Sequence, residues 1–313
     1  MRFVGLLISS LATACAAAGT SRPPPSSPHE PPSNSSTTDV APAERSHPRL
    51  VSTYGSTSPD LDGQGTEQAW QRARPLQITT RRVVPPLDES TTTVELSAVH
   101  TDSHLYLLAR WQDATCDNVD HKPWVWNDQK GAYEEGPDRE DMFSVAFEHT
   151  GLFDANMLSG QEAVWDVWHW KATRTNPAGY AMDRSHRYTR QEPEDKAKAY
   201  SLANGGGQVW IARPEDSGDT IERKQPAPAS RQGDRVAQYV VGTPTGSAAD
   251  VSAKGACSDG WWTLELGRKL NTGHPDDTAF NTRQSYRFAV ATHDRTGDMD
   301  KASGVLDLVF DQG

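Results

Sequence analysis

From residue 49 onward the chain is written in short alternating runs, and this period of two constrains its fold more than any other feature. In TVELSAV (93–99), Val94, Leu96 and Ala98 fall on one side; in HLYLLARWQD (104–113), Leu105, Leu107, Ala109 and Trp111 do so. Successive side chains of a strand point to opposite faces, so such runs suit strands with one buried face. His100-Thr101-Asp102-Ser103 supplies turn chemistry between the two runs, which predicts a hairpin. MFSVAFE (142–148), VWHWKATR (167–174), QVWIAR (208–213), RVAQYVV (235–241), WWTLELG (261–267), YRFAVATH (286–293) and GVLDLVF (304–310) are strand-like too, and long helical periodicity is absent. Many short strands with polar, Gly- and Pro-rich connections predict an all-β chain, an antiparallel immunoglobulin-like β-sandwich. Residues 175–207 and 214–234 read as long polar loop insertions. Loops of that length are usually functional or disordered.

The densest aromatic stretch is WDVWHWKATR (165–174). Alternation puts Trp168, Trp170 and Ala172 on one face and Trp165, Val167, His169 and Lys171 on the other. The first face is expected in the core. The second, amphipathic face suits a pocket wall or solvent. His169 reads first as a hydrogen-bonded structural histidine and second as a metal or haem ligand. PWVW (123–126) reads as a rigid aromatic edge, either packing or walling a ligand. THDRTGDMDK (292–301) is an acidic turn whose carboxylates do not match the spacing of an EF-hand. A ligand loop presenting Met299 or Lys301 is the other reading.

The net charge of −11 over 313 residues leaves no basic stripe for nucleic acid. MRFVGLLISSLATAC (1–15) has a charged n-region at Arg2, a short apolar stretch and a bacterial lipobox-like end. It predicts export with lipidation of Cys15, the alternative being an ordinary signal peptide cut in the Ala16-Ala17-Ala18-Gly19 run. Residues 16–48, rich in Pro, Ser and Thr, read as a disordered linker behind that anchor. The expected location is the periplasm or the outer membrane, with membrane contact only through the lipid, because no other run is long enough to span. Cys116 and Cys257 remain for an oxidising compartment and are candidates for a disulfide. No CxxCH is present for covalent c-type haem and no paired CxxC for zinc. GxSxG, HExxH and the P-loop are also missing, so a non-catalytic role is expected.

DGQGTEQAW (62–70), VELSAVHTDSHLYLLARWQDAT (94–115), PWVW, EDMFSVAFE (140–148), DVWHWKATR, WWTLELGRKLNTG (261–273) and YRFAVATHDRTGD (286–298) together resemble the haem-binding domain of the ethylbenzene dehydrogenase gamma-subunit family, also described as cytochrome c-552/DMSO reductase-like. The resemblance runs from about residue 50 to the C-terminus, and DVWHWKA and LYLLARWQD are its most specific parts. DGxxxExxW is shared with sandwiches similar to family 9 carbohydrate-binding modules. The resemblance implies a sandwich over 49–313 holding one non-covalent b-type haem for electron transfer. A molybdoenzyme or a c-type cytochrome would be the redox partner. By position, the family's axial Met and Lys fall on Met157 and Lys301, with Trp168 and Trp170 packing near the cofactor and His169 beside them. A carbohydrate-binding module using Trp platforms and a cofactor-less interaction domain are the alternatives.

Overall fold

The computed structural model describes residues 46–83, 87–194, 196–214, 216–296 and 301–312. The expected signal peptide, Cys15, the linker up to residue 45 and residues 297–300 of the acidic turn, Met299 included, lie outside them. Nineteen strands form among the described residues. The first half of the chain contributes β1 (Arg49–Tyr54), β2 (Leu76–Arg82), β3 (Thr91–His100), β4 (His104–Gln112), β5 (Trp124–Asn127), β6 (Ala132–Glu135), β7 (Met142–Gly151) and β8 (Ala163–Lys171). The second half contributes β9 (Met182–Thr189), β10 (Ala197–Ser201), β11 (Gln208–Ala212), β12 (Glu222–Lys224), β13 (Arg235–Val236), β14 (Tyr239–Val241), β15 (Ser252–Ser258), β16 (Trp261–Lys269), β17 (Tyr286–His293), β18 (Lys301–Ala302) and β19 (Leu306–Phe310).

One sheet runs β10–β11–β9–β8–β7–β17–β18–β2–β3–β4–β16–β15. It folds back on itself into a sandwich. Phe143, Phe147, Trp168, Trp170 and Phe288 of one leaf share a core with Leu107, Trp111, Trp262 and Leu264 of the other. β1 joins the leaves by pairing in parallel with both β19 and β3. The alternation expected of β3, β4 and β8 is the alternation found, and the β3–β4 hairpin forms in register from Val94↔Trp111 to His100↔Leu105.

Large rings hold the leaves together. Trp111 stacks on Phe143 at 5.1 Å between centroids, and Trp170 meets Trp262 edge-on at 5.0 Å. Burying roughly 150–250 Å² per ring is worth about 4–6 kcal/mol each at ~25 cal/mol/Å². The fit is close on the β15 side: a Cβ on Gly255 would lie 2.5 Å from the Trp170 ring, so only glycine is accommodated there. At one end of the core the buried Arg268 guanidinium lies 4.9 Å from the Trp168 ring centre. Its Nη1 is 2.8 Å from Asp166, 3.1 Å from Asp277 and 3.5 Å from Asp183, which ties β8, β9 and β16 together. Cys116 and Cys257 are joined in a disulfide with Cα atoms 6.1 Å apart.

Two expectations need correction. The polar stretch 175–207 is not a loop insertion: it contains β9 and β10, which extend the main sheet through β11. β9 (MDRSHRYT) shows no apolar alternation because both its faces are polar. Asp183 and Ser185 are buried towards Arg268 and the core end, while Arg184 and His186 point the other way. RVAQYVV is not one strand either. It breaks at Ala237-Gln238, with β13 pairing to β5 and β14 to β12.

Candidate functional site

The outer face of the leaf formed by β17, β7, β8 and β9 carries a second set of side chains. Residues opposite one another across paired strands share a face. The register therefore aligns Ala291, Ser144 and His169 in one row and Ala289, Ala146 and Val167 in the next. Five of these six side chains are small or short, so the two rows make a flat floor. Above it lies a cavity of about 980 Å³. That is near the upper end of the roughly 300–1,000 Å³ usual for small-molecule and cofactor sites.

The cavity has an apolar end and a basic end. Trp165 packs on Tyr188 at 4.1 Å and on Phe153 at 4.9 Å, beside Met157, Leu202 and Ile211. Met157 and Ala155, from the connection after β7, form part of the wall. Lys122, Arg139, Lys171, Arg174, Arg184, Lys198, Arg213 and Lys224 also line it, and among the described residues no Asp or Glu does. In a chain of net charge −11 this is a concentration of positive charge against the overall balance. Guanidinium and ammonium groups of this kind bind carboxylates and phosphates through charge-assisted hydrogen bonds.

Four histidines line the same space: His121, His169, His186 and His293. The rings of His169 and His293 stack at 5.4 Å, and Nε2 of His293 lies 3.2 Å from Ser144 Oγ. Nε2 of His169 is buried and has no hydrogen-bond partner. Leaving a buried polar group unpaired costs about 1–3 kcal/mol, so such an atom calls for a ligand or another explanation. Burial, then the neighbouring charges of Lys171, His293 and Arg174, hold the His169 pKa well below the usual imidazole range. His186 is lowered by burial and by Arg213 and Arg184. Both rings are thus neutral at pH 7 and keep a free lone pair, the form in which imidazole ligates metals.

Lys171 behaves differently. Burial pulls it down to about 8, with Glu222 opposing the shift, and it stays mostly charged at neutral pH. Its Nζ lies 2.6 Å from Glu222 Oε1. Arg174 Nη1 is 3.2 Å from the same carboxylate, and its Nε pairs with the buried Glu140. Glu222, on β12, therefore fastens the 214–241 segment across one side of the cavity. His121, in the same network, is lowered to about 3 by burial and by Arg174 and Arg139, so its proximity to Glu140 is not an ion pair.

Of the residues singled out in the sequence, Met157 and His169 are brought to this one cavity. Trp168 and Trp170 are not: each is fully buried in the core on the opposite pleat of β8 and backs the floor from behind. Lys301 is buried, but its register partner is Thr292, whose hydroxyl meets Thr80 inside the sandwich at 3.2 Å. The next pair, Ala302 and Ala291, is the one that faces the cavity. Lys301 thus sits on the strand face turned away from Met157. PWVW does not line the cavity; Trp124 donates to Gln225 O and Trp126 packs on Tyr133. Trp111, Trp170 and Trp262 are buried against one another and Trp168 against Phe147 and Phe280, which leaves none of the four to stack on a sugar.

The sequence reading passed over Ser144, Ala146, Ala289 and Ala291, and also Arg184, His186 and Tyr188 on β9. For the first four a signal exists. In MFSVAFE and YRFAVATH, small residues alternate strictly with large apolar ones, the pattern of a strand whose outer face must stay flat.

The sequence model of the ethylbenzene dehydrogenase family matches residues 67–303. Among solved structures, the chain is similar to a family 9 carbohydrate-binding module from Caldicellulosiruptor kristjanssonii in complex with glucose (10% identity, 84% of this chain and 95% of that chain, TM-score 0.38). It is also similar to a Bacteroides uniformis protein described as carbohydrate-binding (8% identity, 85% of this chain and 100% of that chain, TM-score 0.41). A search of curated proteins gives no match.

Proposed function

The chain belongs to the ethylbenzene dehydrogenase family, and on that premise we propose that it is an exported, non-catalytic electron-transfer protein that carries one non-covalent b-type haem on the outer face of β7, β8, β9 and β17. The observation that carries this reading is the cavity: about 980 Å³, floored by Ser144, Ala146, Ala289 and Ala291, and lined by basic groups without an acidic one among the described residues. A flat apolar macrocycle with two carboxylate arms matches a flat floor and a basic rim. The donor set fits as well, because a thioether at Met157 and neutral imidazoles are suited to haem iron. When bound, the haem would supply one-electron transfer.

The protein's own part is to bind, orient and exclude water. Trp165, Tyr188 and Met157 bury the apolar edge, and burial of this kind raises or lowers a potential through the local dielectric. Arg213, Lys198 and Arg184 offer charge to carboxylate groups. Glu222 pairs with both Lys171 and Arg174 and ties β12 to that side of the cavity. As a gamma-subunit-like protein it would exchange electrons with a molybdoenzyme or a c-type cytochrome. Export and lipidation at Cys15 belong to the same reading; Cys15→Ser should move the protein from the membrane fraction to the soluble one.

Titration of the purified full chain with haemin, followed by absorption spectroscopy, tests the proposal. One equivalent should bind with a shifted, sharpened Soret band. Ala146→Phe, which fills the floor, should abolish uptake while the fold is kept. A wild-type protein that takes up no haem, or takes it up equally well in the filled variant, would overturn the reading.

A further inference from the structure

We infer that His169 is an axial nitrogen donor of this chain, in place of the lysine expected at Lys301. The inference rests on the haem reading and deepens it. Lys301, Lys171, His293, His186 and His169 compete for the role, and of the cavity-lining imidazoles only His169 has a buried ring nitrogen left without a hydrogen-bond partner among the described residues. Lys301 shares a pleat with Thr292, the face on which Thr292 meets Thr80 inside the sandwich, and not with the cavity-lining Ala291. Lys171 lines the cavity but is held by Glu222 at 2.6 Å. His293 lines the cavity with Nε2 already against Ser144 Oγ at 3.2 Å. His169 also lines it, and its Nε2 is buried with no hydrogen-bond partner among the described residues.

The strand explains why this histidine is positioned for the task. β8 is central in its leaf, paired on both sides by β7 and β9. Opposite it across the pleat, Trp168 and Trp170 are locked among the core rings. His169 therefore projects from a rigid element, a better base for a ligand than a loop. In its row it lies beside Ser144 and Ala291, whose short side chains leave the space next to the ring open. The stacked His293 ring at 5.4 Å fixes the orientation without occupying the nitrogen. Met157, from the connection after β7, supplies the second donor in the same cavity. A soft thioether and an imidazole make an ordinary low-spin pair for haem iron.

The test compares four haemin-loaded proteins by absorption and electron paramagnetic resonance at pH 7: wild type, Lys301→Ala, His169→Gln and His169→Gly. Wild type and Lys301→Ala should both be low-spin. His169→Gln should be predominantly high-spin. His169→Gly should also be high-spin, and millimolar imidazole should return it to low spin, which a merely structural role for the ring would not produce. Circular dichroism of each variant excludes loss of the fold as the cause. A low-spin wild-type spectrum kept in both His169 variants would overturn the inference and leave the haem reading standing, as would a spectrum lost only in Lys301→Ala. Failure of wild type to bind haemin would overturn both together.

Discussion

The two faces of β7, β8 and β17 are built from the same three strands and have opposite compositions. Inward lie Phe143, Val145, Phe147, Trp168, Trp170, Phe288 and Val290, all nearly or fully inaccessible. Outward lie Ser144, Ala146, Val167, His169, Lys171, Ala289, Ala291 and His293, arranged around a cavity. The inner face is filled and apolar; the outer is open and ionisable. Because the pleat alternates residue by residue, fold and site are written into alternate letters of one sequence. Substitutions one residue apart should therefore fail in different ways.

The largest effect belongs to the inner face. Trp168→Ala removes a fully buried ring that touches Phe147 at 4.9 Å and lies under Arg268. Truncations of this kind destabilise by about 3–5 kcal/mol. Arg268→Ala should match it, since removing one partner of a buried ion-pair cluster costs ~3–5 kcal/mol by leaving its carboxylates uncompensated. Urea unfolding monitored by tryptophan fluorescence measures both. A loss below about 1 kcal/mol in either would contradict the division between faces.

Next comes a change of the opposite kind. Ala291→Phe, on the outer face, adds a ring to open space instead of removing one from a filled core. Overpacking a filled core costs about 1–3 kcal/mol, and here the cavity has room, so stability should move by less than about 1 kcal/mol. Haemin uptake should nevertheless fall at least tenfold. A joint loss of stability and uptake would show that the two faces are coupled through the strand.

The same contrast explains what the sequence could reveal. The inner face was legible because its large residues recur every second position, so the sandwich, the β3–β4 hairpin and the division of 165–172 into two faces follow from pattern alone. The cavity was legible only where a residue is unusual, as with His169 between two tryptophans, or where a position implied by the resemblance falls on its lining, as with Met157. Alanines on a floor carry no chemical signature, and Ala146 and Ala289 read as filler until the register sets them side by side. β9 was hidden for another reason: its one inward carboxylate, Asp183, is answered by Arg268, 85 residues away in sequence, and no local pattern encodes that. Lys301 shows the limit of positional transfer. One residue of register decides which face a side chain takes, and an alignment does not fix it.

The smallest expected effect is a pair of opposed pH slopes. Asp141, on the inner side of the residue preceding β7, accepts from Trp262 Nε1 at 3.0 Å. Burial pushes it up from 3.8 to about 7 against that hydrogen bond, with the Asp113 charge adding to the rise. A carboxyl that holds its proton more tightly folded than unfolded contributes fully below about pH 4, and the contribution is lost as pH climbs towards 7. Lys171, on the outer face, is lowered from 10.5 to about 8 by burial. It holds its proton less tightly when folded, so its contribution is present above about pH 10.5 and lost as pH falls through 8. In the haem-free chain the Asp141 contribution should thus decline from pH 4 to 7, against the opposite slope that the neutral His121, His169 and His186 add below about pH 6.5, and the Lys171 contribution should recover between 8 and 10.5. Asp216, raised to about 8, and Glu265, raised to about 7, share the acidic-side decline, so Asp141→Asn should flatten it in part. Lys171→Met should flatten only the alkaline recovery. Urea midpoints at half-unit pH steps measure each slope, and an Asp141→Asn profile parallel to wild type from pH 4 to 7 would remove Asp141 from the account.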